Sequence, residues 1–397
     1  MEDVRVAIVG AGIGGLTAAL ALQKVGVKVD LYEQATELQE VGAGLTVTPN
    51  ATHVLNHLGL GPVMDQIGTT PAMGALIDLA SGATLVTLPR TDMVSDYGAQ
   101  RYLVHRADLC DALVKAVLQN DRECVHTGHC LEGLSQTASS VTLSFDNGAQ
   151  AEADILIGAD GVKSAVRTEL FGKQSPKFTG YIAWRGLVPK DRLGKYNIEP
   201  ESALCIGSGH MFTRYFIRHG ALLNYVAFAE RNTWTDEGWA VHSTIEELVE
   251  EFAGAGSDVR GLLAATPPEL CFKWGLFDRQ PLSTWTAGHA AILGDAAHPT
   301  TPFLGQGAVM AIEDGMVLAR AVESANSIAE ALHIYEKTRV ERANFVMLES
   351  LRRARILLAS DTTRQLELLR NTEEAMGLFG YNPVTAPLDS SPWESGA

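Results

Sequence analysis

The segment VRVAIVGAGIGGLTAALALQKVGVKVDLYEQ, residues 4–34, decides the fold class of this chain. It opens with a continuous apolar run, continues with helical spacing up to Gly26, and ends in a second apolar run. Unbroken apolar runs are typical of parallel strands that are buried on both faces, and a helix connects such strands. The segment therefore predicts a strand–helix–strand unit.

Four glycines, Gly10, Gly12, Gly14 and Gly15, stand between the first strand and the helix in the sequence GAGIGG. The GxGxxG spacing permits a tight turn and lets backbone N–H groups approach a pyrophosphate at the positive end of the helix. Glu33 ends the second strand, eighteen residues after Gly15, where a carboxylate can accept hydrogen bonds from ribose hydroxyls. The combination predicts dinucleotide binding rather than a tight turn without a ligand. An acid at this position disfavours a 2′-phosphate.

Two later motifs bear on which dinucleotide is bound. Asp160 and Gly161 follow an apolar strand, and Asp295 ends another, ahead of the glycine-rich helix start at Gly305 and Gly307. A carboxylate beside a helix N-terminus suits a ribityl chain next to a ring that gains negative charge on reduction. On the residues alone FAD is favoured, and NAD stays open.

The rest of the chain predicts an α/β fold with an α+β insert. Residues 181–229 alternate apolar and polar positions around several glycines, which is typical of an antiparallel sheet. From Gly307 to about Leu378 the pattern is helical. We expect a Rossmann-like nucleotide domain at 1–178 and 287–320, an antiparallel-sheet substrate domain at 179–286, a C-terminal helical segment at 321–385 and a flexible tail at 386–397.

Composition excludes several classes of protein. The formal net charge of −16 disfavours nucleic acid and anionic membranes as partners. The five cysteines have no CxxC spacing, so neither a disulfide framework nor a metal site is expected. No apolar run approaches the ~20 residues of a membrane span, and no signal peptide precedes the first strand. We expect a cytoplasmic protein, with a homodimer as the default assembly.

Three motifs in register resemble the fingerprints of the FAD-dependent (group A) flavoprotein aromatic hydroxylases. Other stretches are also similar to that family, and the resemblance covers essentially the whole chain. It is strongest to the salicylate, 3-hydroxybenzoate and 6-hydroxynicotinate monooxygenases. The motifs are GAGIGG with Glu33, Asp160–Gly161 and Gly294–Asp295, and the other stretches are YLVHRADL at 102–109, GYIAWRG at 180–186 and YEKTRVERA at 335–343.

The resemblance implies a reaction cycle and roles for several residues. NADH or NADPH reduces FAD, O2 adds to give a C4a-hydroperoxide, and its distal oxygen attacks an electron-rich ring. By motif match, Arg106 and Asp295 contact the phosphate and ribityl regions of FAD, and Asp160 serves both FAD and the pyridine nucleotide. Pro302 lies beside the C4a edge, and Gly305–Gln306–Gly307 place N–H groups near the N1–C2=O end.

The resemblance also suggests residues on the substrate side, where a base accelerates hydroxylation by forming a phenolate. His210 occupies a position at which relatives carry a histidine, although a lone strand histidine is most often structural. Alternation puts His210, Phe212 and Arg214 on one face of a strand and Tyr215 on the other. Arg214 is a candidate partner for a substrate carboxylate, against the alternative of a solvent-facing arginine, and Tyr215 is a further candidate contact. His298 is expected to pack at a domain junction.

The prediction is therefore hydroxylation of a phenolic aromatic or pyridine carboxylic acid. A disulfide reductase would need a cysteine pair after the first unit, and no cysteine precedes Cys110. A halogenase would carry a WxWxIP signature, which this sequence lacks. A relative acting on a urate-like heterocycle or a polyketide stays open as the rival. An FAD-binding sensor or scaffold is the alternative from another class, and oxygen consumption would discriminate it.

Overall fold

The computed structural model describes residues 4–38, 42–71, 73–89, 92–194, 196, 198–234, 241–359 and 375–388. Residues 360–374 of the predicted helical segment and 389–397 of the predicted tail lie outside the described residues.

The described residues form nineteen strands and ten α-helices, joined by turns and loops. The strands are β1 (Arg5–Val9), β2 (Lys28–Glu33), β3 (Gly44–Val47), β4 (Met73–Asp78), β5 (Thr84–Pro89), β6 (Tyr102–His105), β7 (Val125–Thr127), β8 (Leu131–Gln136), β9 (Val141–Phe145), β10 (Gln150–Ala153), β11 (Ile155–Gly158), β12 (Lys177–Pro189), β13 (Ser202–Gly207), β14 (His210–Ile217), β15 (Leu222–Glu230), β16 (Val241–His242), β17 (Phe272–Asp278), β18 (Thr286–Ala287) and β19 (Ala290–Ile292). The helices are α1 (Ile13–Lys24), α2 (Pro49–His57), α3 (Gly61–Ile67), α4 (Met93–Tyr97), α5 (Arg106–Asn120), α6 (Ala165–Phe171), α7 (Ile245–Glu251), α8 (Ser257–Ala264), α9 (Gly307–Ser324) and α10 (Ile328–Leu357).

A six-stranded sheet contains the predicted strand–helix–strand unit. Its strand order is β18-β19-β11-β1-β2-β7, and β1 pairs in parallel with both β2 and β11. All of β11, and β1 from Val6 to Val9, are buried, as expected for parallel strands that are covered on both faces. The predicted Rossmann-like core is confirmed.

Helices α1 and α9 pack closely because glycine lies at their contact. A Cβ atom at Gly315 of α9 would lie 2.7 Å from the backbone nitrogen of Ala18 in α1. A Cβ atom at Gly14 would lie 2.8 Å from Cδ1 of Leu293. Absent side chains at these two positions therefore set how near α1 comes to α9 and to the loop after β19.

The second large element is an eight-stranded, mostly antiparallel sheet with the order β16-β17-β12-β15-β14-β13-β4-β5. The thirteen-residue strand β12 pairs with β15 on one side and β17 on the other. The antiparallel insert is thus confirmed, but strands β4 and β5 also belong to it, through parallel pairing of β4 with β13. The prediction had assigned residues 73–89 to the nucleotide domain, because strand pairing over long sequence separation leaves no local signal. The domain boundaries as such stay a prediction.

The two faces of this sheet pack against different partners. We call the first the helix face, because its side chains, such as Trp184, Phe212 and Tyr225, pack against α7 and α8. We call the second the nucleotide face, because Met211 and Phe228 pack there against Phe303 and the end of α10. Alternation along each strand assigns every residue of the sheet to one of these faces.

A two-stranded ribbon, β3 with β6, lies on the nucleotide face. The backbone N–H of Gly44 in β3 donates to Oδ1 of Asn224 in β15 at 2.7 Å. Leu103 in β6 is buried with Leu187 and Ile217 of the sheet. The ribbon therefore joins the nucleotide-binding part of the chain to the sheet.

The C-terminal part is helical, as predicted, and its thirty-residue helix α10 packs along α9. Residues 375–388 return over these helices, where Leu378 and Phe379 are buried. Among the described residues, no helix combines the length and the apolarity that crossing a bilayer would require.

We predict that Gly315→Ala lowers the free energy of unfolding by about 1–3 kcal/mol, because the new methyl group meets backbone rather than a movable side chain. Urea denaturation followed by circular dichroism measures the change. Gly254→Ala is the matched control, since a Cβ atom there would have no neighbour within 4 Å, and it should shift stability by less than about 0.5 kcal/mol. Equal stability of the two variants would contradict the close helix contact.

Candidate active site

Two positions at the turn between β1 and α1 can be occupied only by glycine. Gly10 has a φ of +106°, and a Cβ atom there would lie 2.4 Å from the carbonyl oxygen of Ala159. A Cβ atom at Gly15 would lie 1.9 Å from the carbonyl oxygen of Gly10. At Gly12, by contrast, a Cβ atom would meet nothing within 4 Å. The turn is tight on its protein side and leaves space at Gly12, where a phosphate can approach.

Two helices present uncapped N-termini at the candidate site. In α1 and α9, both of which lie wholly within the described residues, no side chain caps the N-terminus and no acid occupies the first turn. Gly12 precedes α1, and Gly307 begins α9 with open space at its Cβ position. Free N–H groups and the positive end of the dipole favour an anion at each position.

Glu33 braces the glycine turn as well as ending β2. Its carboxylate accepts the backbone N–H of Ala11 at 2.9 Å and that of Ala35 at 2.9 Å. The side chain is only partly buried, and a carboxylate has about four acceptor positions in all. Glu33 can therefore hold the turn and still accept hydrogen bonds from a ribose.

The charge of Arg106 acts on Asp295 although 189 positions separate the two residues. Arg106 begins α5, and its backbone N–H donates to the carbonyl oxygen of Ala43 at 2.8 Å. Burial raises the pKa of Asp295, while the charges of His298 and Arg106 oppose that rise. A buried carboxylate with a cation nearby suits the polar chain between a flavin ring and its phosphates.

Asp160 is held by the helix that follows it. Its carboxylate accepts the hydroxyl of Ser164 at 2.5 Å and the backbone N–H of Val166 at 3.1 Å. Burial raises its pKa against these hydrogen bonds. The structure therefore gives Asp160 a part in anchoring the start of α6, in addition to its predicted binding role.

The turn ahead of α9 has a backbone shape that the sequence motif requires. Residues Pro302–Leu304 form one 3₁₀ turn, and Gly305 follows with a φ of +62° and open space at its Cβ position. Gln306 is fully buried and donates to Oγ1 of Thr48 at 3.3 Å, while Asn50 donates to Oε1 of Gln306 at 3.3 Å. The amide of Gln306 thus ties the turn to the start of α2, so only its backbone can face a ligand.

A buried ionic network lies beneath this turn, at the contact of α9 with α10. Arg342 donates two hydrogen bonds of 2.8 Å to the carboxylate of Glu313. Asn50 donates to the same carboxylate at 2.6 Å. All three side chains are fully buried, so the start of α2 is fixed to α9 and α10 by charged hydrogen bonds.

Asp314 is the second acid of the network. Its carboxylate accepts Nε of Arg339 at 2.7 Å, the backbone N–H of Gly294 at 2.9 Å and Nε2 of His298 at 2.6 Å. Burial raises the pKa of Asp314, but the charges of His298 and Arg339 outweigh burial and bring it down to about 2. His298 is fully buried, its ring centroid 5.2 Å from that of Trp285, and its position at a domain junction stays a prediction.

The role of these acids and arginines was not predicted from the sequence. Arg339 and Arg342 are three positions apart in YEKTRVERA, and Glu313 and Asp314 are adjacent in the helix after the glycine turn. On a helix that spacing puts both arginines on one face. The spacing would have predicted these ion pairs only if α9 and α10 had been known to be neighbours.

His210 lies on the helix face, away from the nucleotide-binding turn. Its Nε2 lies 2.8 Å from Oε1 of Glu251 in α7, and its Nδ1 lies 3.0 Å from the carbonyl oxygen of Ser208. Its ring packs against Phe252 at 5.1 Å between centroids. The structure does not bring His210 to the predicted substrate position, and both ring nitrogens already have partners.

Arg214 lies on the same helix face and is also a correction to the prediction. Its guanidinium donates to the carbonyl oxygens of Ile198 and Pro200, both at 2.8 Å, and only 5% of the residue is exposed. It therefore supports a loop rather than a substrate carboxylate or the solvent. Alternation grouped His210 with Arg214 as predicted, but only the packing of α7 and α8 shows which side that group faces.

Tyr215 lies on the nucleotide face. Burial raises its pKa well above 10, and a hydrogen bond with Thr46 of β3 together with the charge of Arg101 opposes that rise. On the same face Phe303, from the turn after Pro302, packs 4.8 Å from the ring centroid of Phe228. The turn and Tyr215 thus lie on one side of the sheet.

Partial exposure distinguishes the middle of the nucleotide face from its edges. Residues at the edges of this face, such as Leu187, Met211 and Phe228, are buried, whereas the central ones are partly exposed. We call these central residues the cleft floor: Arg185, Leu204, Thr213, Tyr215, Val226 and Trp274. A floor that mixes apolar and polar side chains is typical of a small-molecule site.

A cavity of about 590 Å³ opens elsewhere, near Asp65, Lys190, Glu201 and His219. It contains none of the predicted site residues and lies apart from both uncapped helices. Its lining is polar, and we do not assign it to the site.

Comparison with known proteins identifies the class to which these features belong. A family model described as "FAD binding domain" matches residues 3–350. The chain is 34% identical over 394 residues to 6-hydroxynicotinate 3-monooxygenase of Pseudomonas fluorescens, covering 98% of this chain and 97% of that protein. It is 36% identical over 383 residues to 3-amino-4-hydroxybenzoate 2-monooxygenase of Streptomyces platensis, covering 95% and 94%.

A solved structure is similar over the same extent. It is HpxO of Klebsiella pneumoniae complexed with FAD and uric acid, which superposes with a TM-score of 0.84 at 28% identity, covering 97% of each chain. The uncapped helices, the open space at Gly12 and the pair Arg106–Asp295 fit FAD in this chain.

We predict that Asp314→Asn lowers the free energy of unfolding by about 3 kcal/mol at pH 7, because Arg339 and His298 lose a buried anionic partner. The lowered pKa of Asp314 makes its contribution full above about pH 4 and lost as the pH falls towards 2. The difference between wild type and variant should therefore shrink below pH 4 in urea denaturation.

Asp191→Asn serves as the control, since Asp191 is exposed and outside the network. A difference for Asp314→Asn that stays constant down to pH 3 would contradict a charged Asp314.

Proposed function

We propose, on the premise that this chain belongs to the FAD-dependent aromatic monooxygenases, that it hydroxylates a phenolic aromatic or pyridine carboxylic acid. One atom of O2 enters the ring, the other leaves as water, and NADH or NADPH supplies the two electrons. The observation that carries the proposal is the shared side of the sheet: the Pro302–Gly307 turn and the cleft floor face each other. A ring bound on the floor would then lie beside the flavin edge at Pro302.

Bound FAD would supply the reduction by the pyridine nucleotide and the activation of O2. The chain's own residues hold and orient it. We assign its pyrophosphate to the turn of Gly10, Gly12, Gly14 and Gly15, and its adenosine ribose to Glu33. We assign the chain towards the ring to Arg106, Asp160 and Asp295, and the ring's N1–C2=O end to the backbone of Gly305–Gln306–Gly307.

Tyr215 would position the ring hydroxyl of the substrate. Because burial raises its pKa well above neutrality, Tyr215 stays protonated and acts as a hydrogen-bonding group, not as a phenolate base. Thr46 bonds to Tyr215 from the facing ribbon, so the hydroxyl of Tyr215 is fixed in direction. A fixed donor of this kind orients the ring for attack.

A urate-like heterocycle is the second candidate substrate. It is favoured by the similarity to HpxO, which was solved with uric acid. Uric acid has no carboxylate group, so dependence on that group separates the two candidates.

The first experiment is NADH and NADPH oxidation by the FAD-loaded protein with the acids named by its relatives and with urate, followed by mass analysis. We expect one acid to accelerate oxidation and to gain one oxygen atom. Acceleration by urate alone would transfer the assignment to the second candidate. No acceleration by any compound, with FAD bound, would refute the proposed function.

Two assignments of the group that acts on the substrate hydroxyl, Tyr215 and His210, predict opposite effects of replacing these residues. We expect Tyr215→Phe to lower kcat/KM about 10- to 100-fold, because it removes a hydrogen bond to the substrate. His210→Asn should keep kcat/KM within about twofold, since His210 faces α7. Both variants should retain FAD, measured by flavin absorbance per protein. The reverse ranking would restore His210 as the substrate base.

A further inference from the structure

We propose that Arg101 is the residue that recognises the carboxylate group of the substrate. The inference rests on the proposed function and makes it more specific, since it restricts substrates to aromatic acids rather than neutral heterocycles. Arg101 was not among the site residues expected from the sequence, and no motif contains it.

The ribbon geometry aims Arg101 at the sheet. Arg101 directly precedes β6, two positions before Leu103, whose side chain packs with Leu187 and Ile217 on the nucleotide face. Side chains two positions apart in an extended strand share a face. Arg101 therefore projects from the ribbon towards the cleft floor, on the same side as Leu103.

Arg101 forms no ion pair with any acid among the described residues. It is partly buried, and its Nε is buried without a hydrogen-bond partner in the part of the chain that the structure describes. The hydrogen bond that Arg101 does make is through its backbone N–H, to Oε1 of Gln100 at 2.9 Å. Arg218, by comparison, donates two hydrogen bonds to Asp108. A buried guanidinium N–H without an acceptor is costly, and a bound carboxylate would satisfy it.

Arg101 is close enough to Tyr215 to act on it electrostatically, since its charge counteracts part of the effect of burial on that tyrosine's pKa. Thr46, paired opposite Leu103 in the ribbon, bonds to the same tyrosine. Cation and hydroxyl thus lie at one end of the cleft floor. An aromatic acid that carries a ring hydroxyl offers a matching pair of groups.

The position of Arg101 separates it from the FAD phosphates. Arg106, which we assign to the cofactor, begins α5 at the other end of β6. Five residues of extended chain span about 16 Å. Arg101 is therefore available for a different anion from the one at Arg106.

The test compares binding of acids and carboxamides to the oxidised, FAD-loaded protein. The probes are 6-hydroxynicotinate, 3-hydroxybenzoate and 3-amino-4-hydroxybenzoate, each beside its carboxamide, titrated by flavin absorbance and calorimetry. We expect Arg101→Gln to raise the Kd of the bound acid about 10- to 100-fold. The Kd of its carboxamide should change by less than about twofold, and FAD content should not change.

Steady-state measurements add a second readout. KM for the acid should rise with the Kd while kcat falls less, and Arg101→Lys should recover part of the affinity, because it keeps the charge but not the forked geometry. Arg122→Gln is the matched control, since Arg122 is exposed in the turn after α5. If Arg101→Gln fails to fold, the same comparison is made with Arg101→Lys. This variant should raise the Kd of the acid but leave the Kd of the carboxamide unchanged.

Several outcomes would overturn the assignment. Equal loss of acid and carboxamide would mean that Arg101 only shapes the cleft. A raised KM for NADH or NADPH with an unchanged Kd for the acid would assign Arg101 to the coenzyme. If an acid that wild type hydroxylates binds wild type and Arg101→Gln with equal Kd, the proposed role of Arg101 is rejected while the proposed function stands. Failure of wild type to bind any acid would reject the proposed function itself.

Discussion

The buried ionic network between α9 and α10 is the interaction on which the candidate site depends. Glu313 and Asp314 lie on α9, which follows the turn at Pro302–Leu304, and their partners lie in three other parts of the chain: α10, the start of α2 and the segment after β19. Because each acid has several charged or hydrogen-bonding partners, it can be buried without being protonated. The network thus fixes the relative positions of the turn, the start of α2 and residues Gly294–His298.

Such a network is expensive compared with an apolar contact, since two arginines and two acids must be removed from water. In return, its hydrogen bonds fix the orientation of the groups that they join. Arg339 and Arg342 of α10 make hydrogen bonds of 2.7–2.8 Å to Asp314 and Glu313 of α9, and hydrogen bonds are directional whereas apolar contacts are not. A site that must hold a ring within an ångström or less of its reacting position needs this kind of support.

The eight-stranded sheet divides its polar groups between two tasks. On the helix face, His210 pairs with Glu251 and Arg214 donates to backbone carbonyl groups, so both stabilise the fold around α7 and α8. On the nucleotide face, polar side chains are partly exposed around the cleft floor. The same strand, β14, supplies both sets, because successive side chains point to opposite faces. The candidate site lies on the face that the nucleotide-binding part covers.

The sequence by itself determined the elements whose chemistry is local. The strand–glycine–helix–acid unit at 4–34 and the glycine turn at 305–307 follow from backbone limits that only glycine satisfies, so both were predictable, and with them the FAD-binding class. Tertiary structure alone decided which face of β14 faces the turn at Pro302–Leu304, that β4 and β5 join the large sheet, and that the charge of Arg101 acts on Tyr215. These facts depend on contacts between residues far apart in the chain. A periodic pattern specifies that two faces differ, but not which partner each face will meet.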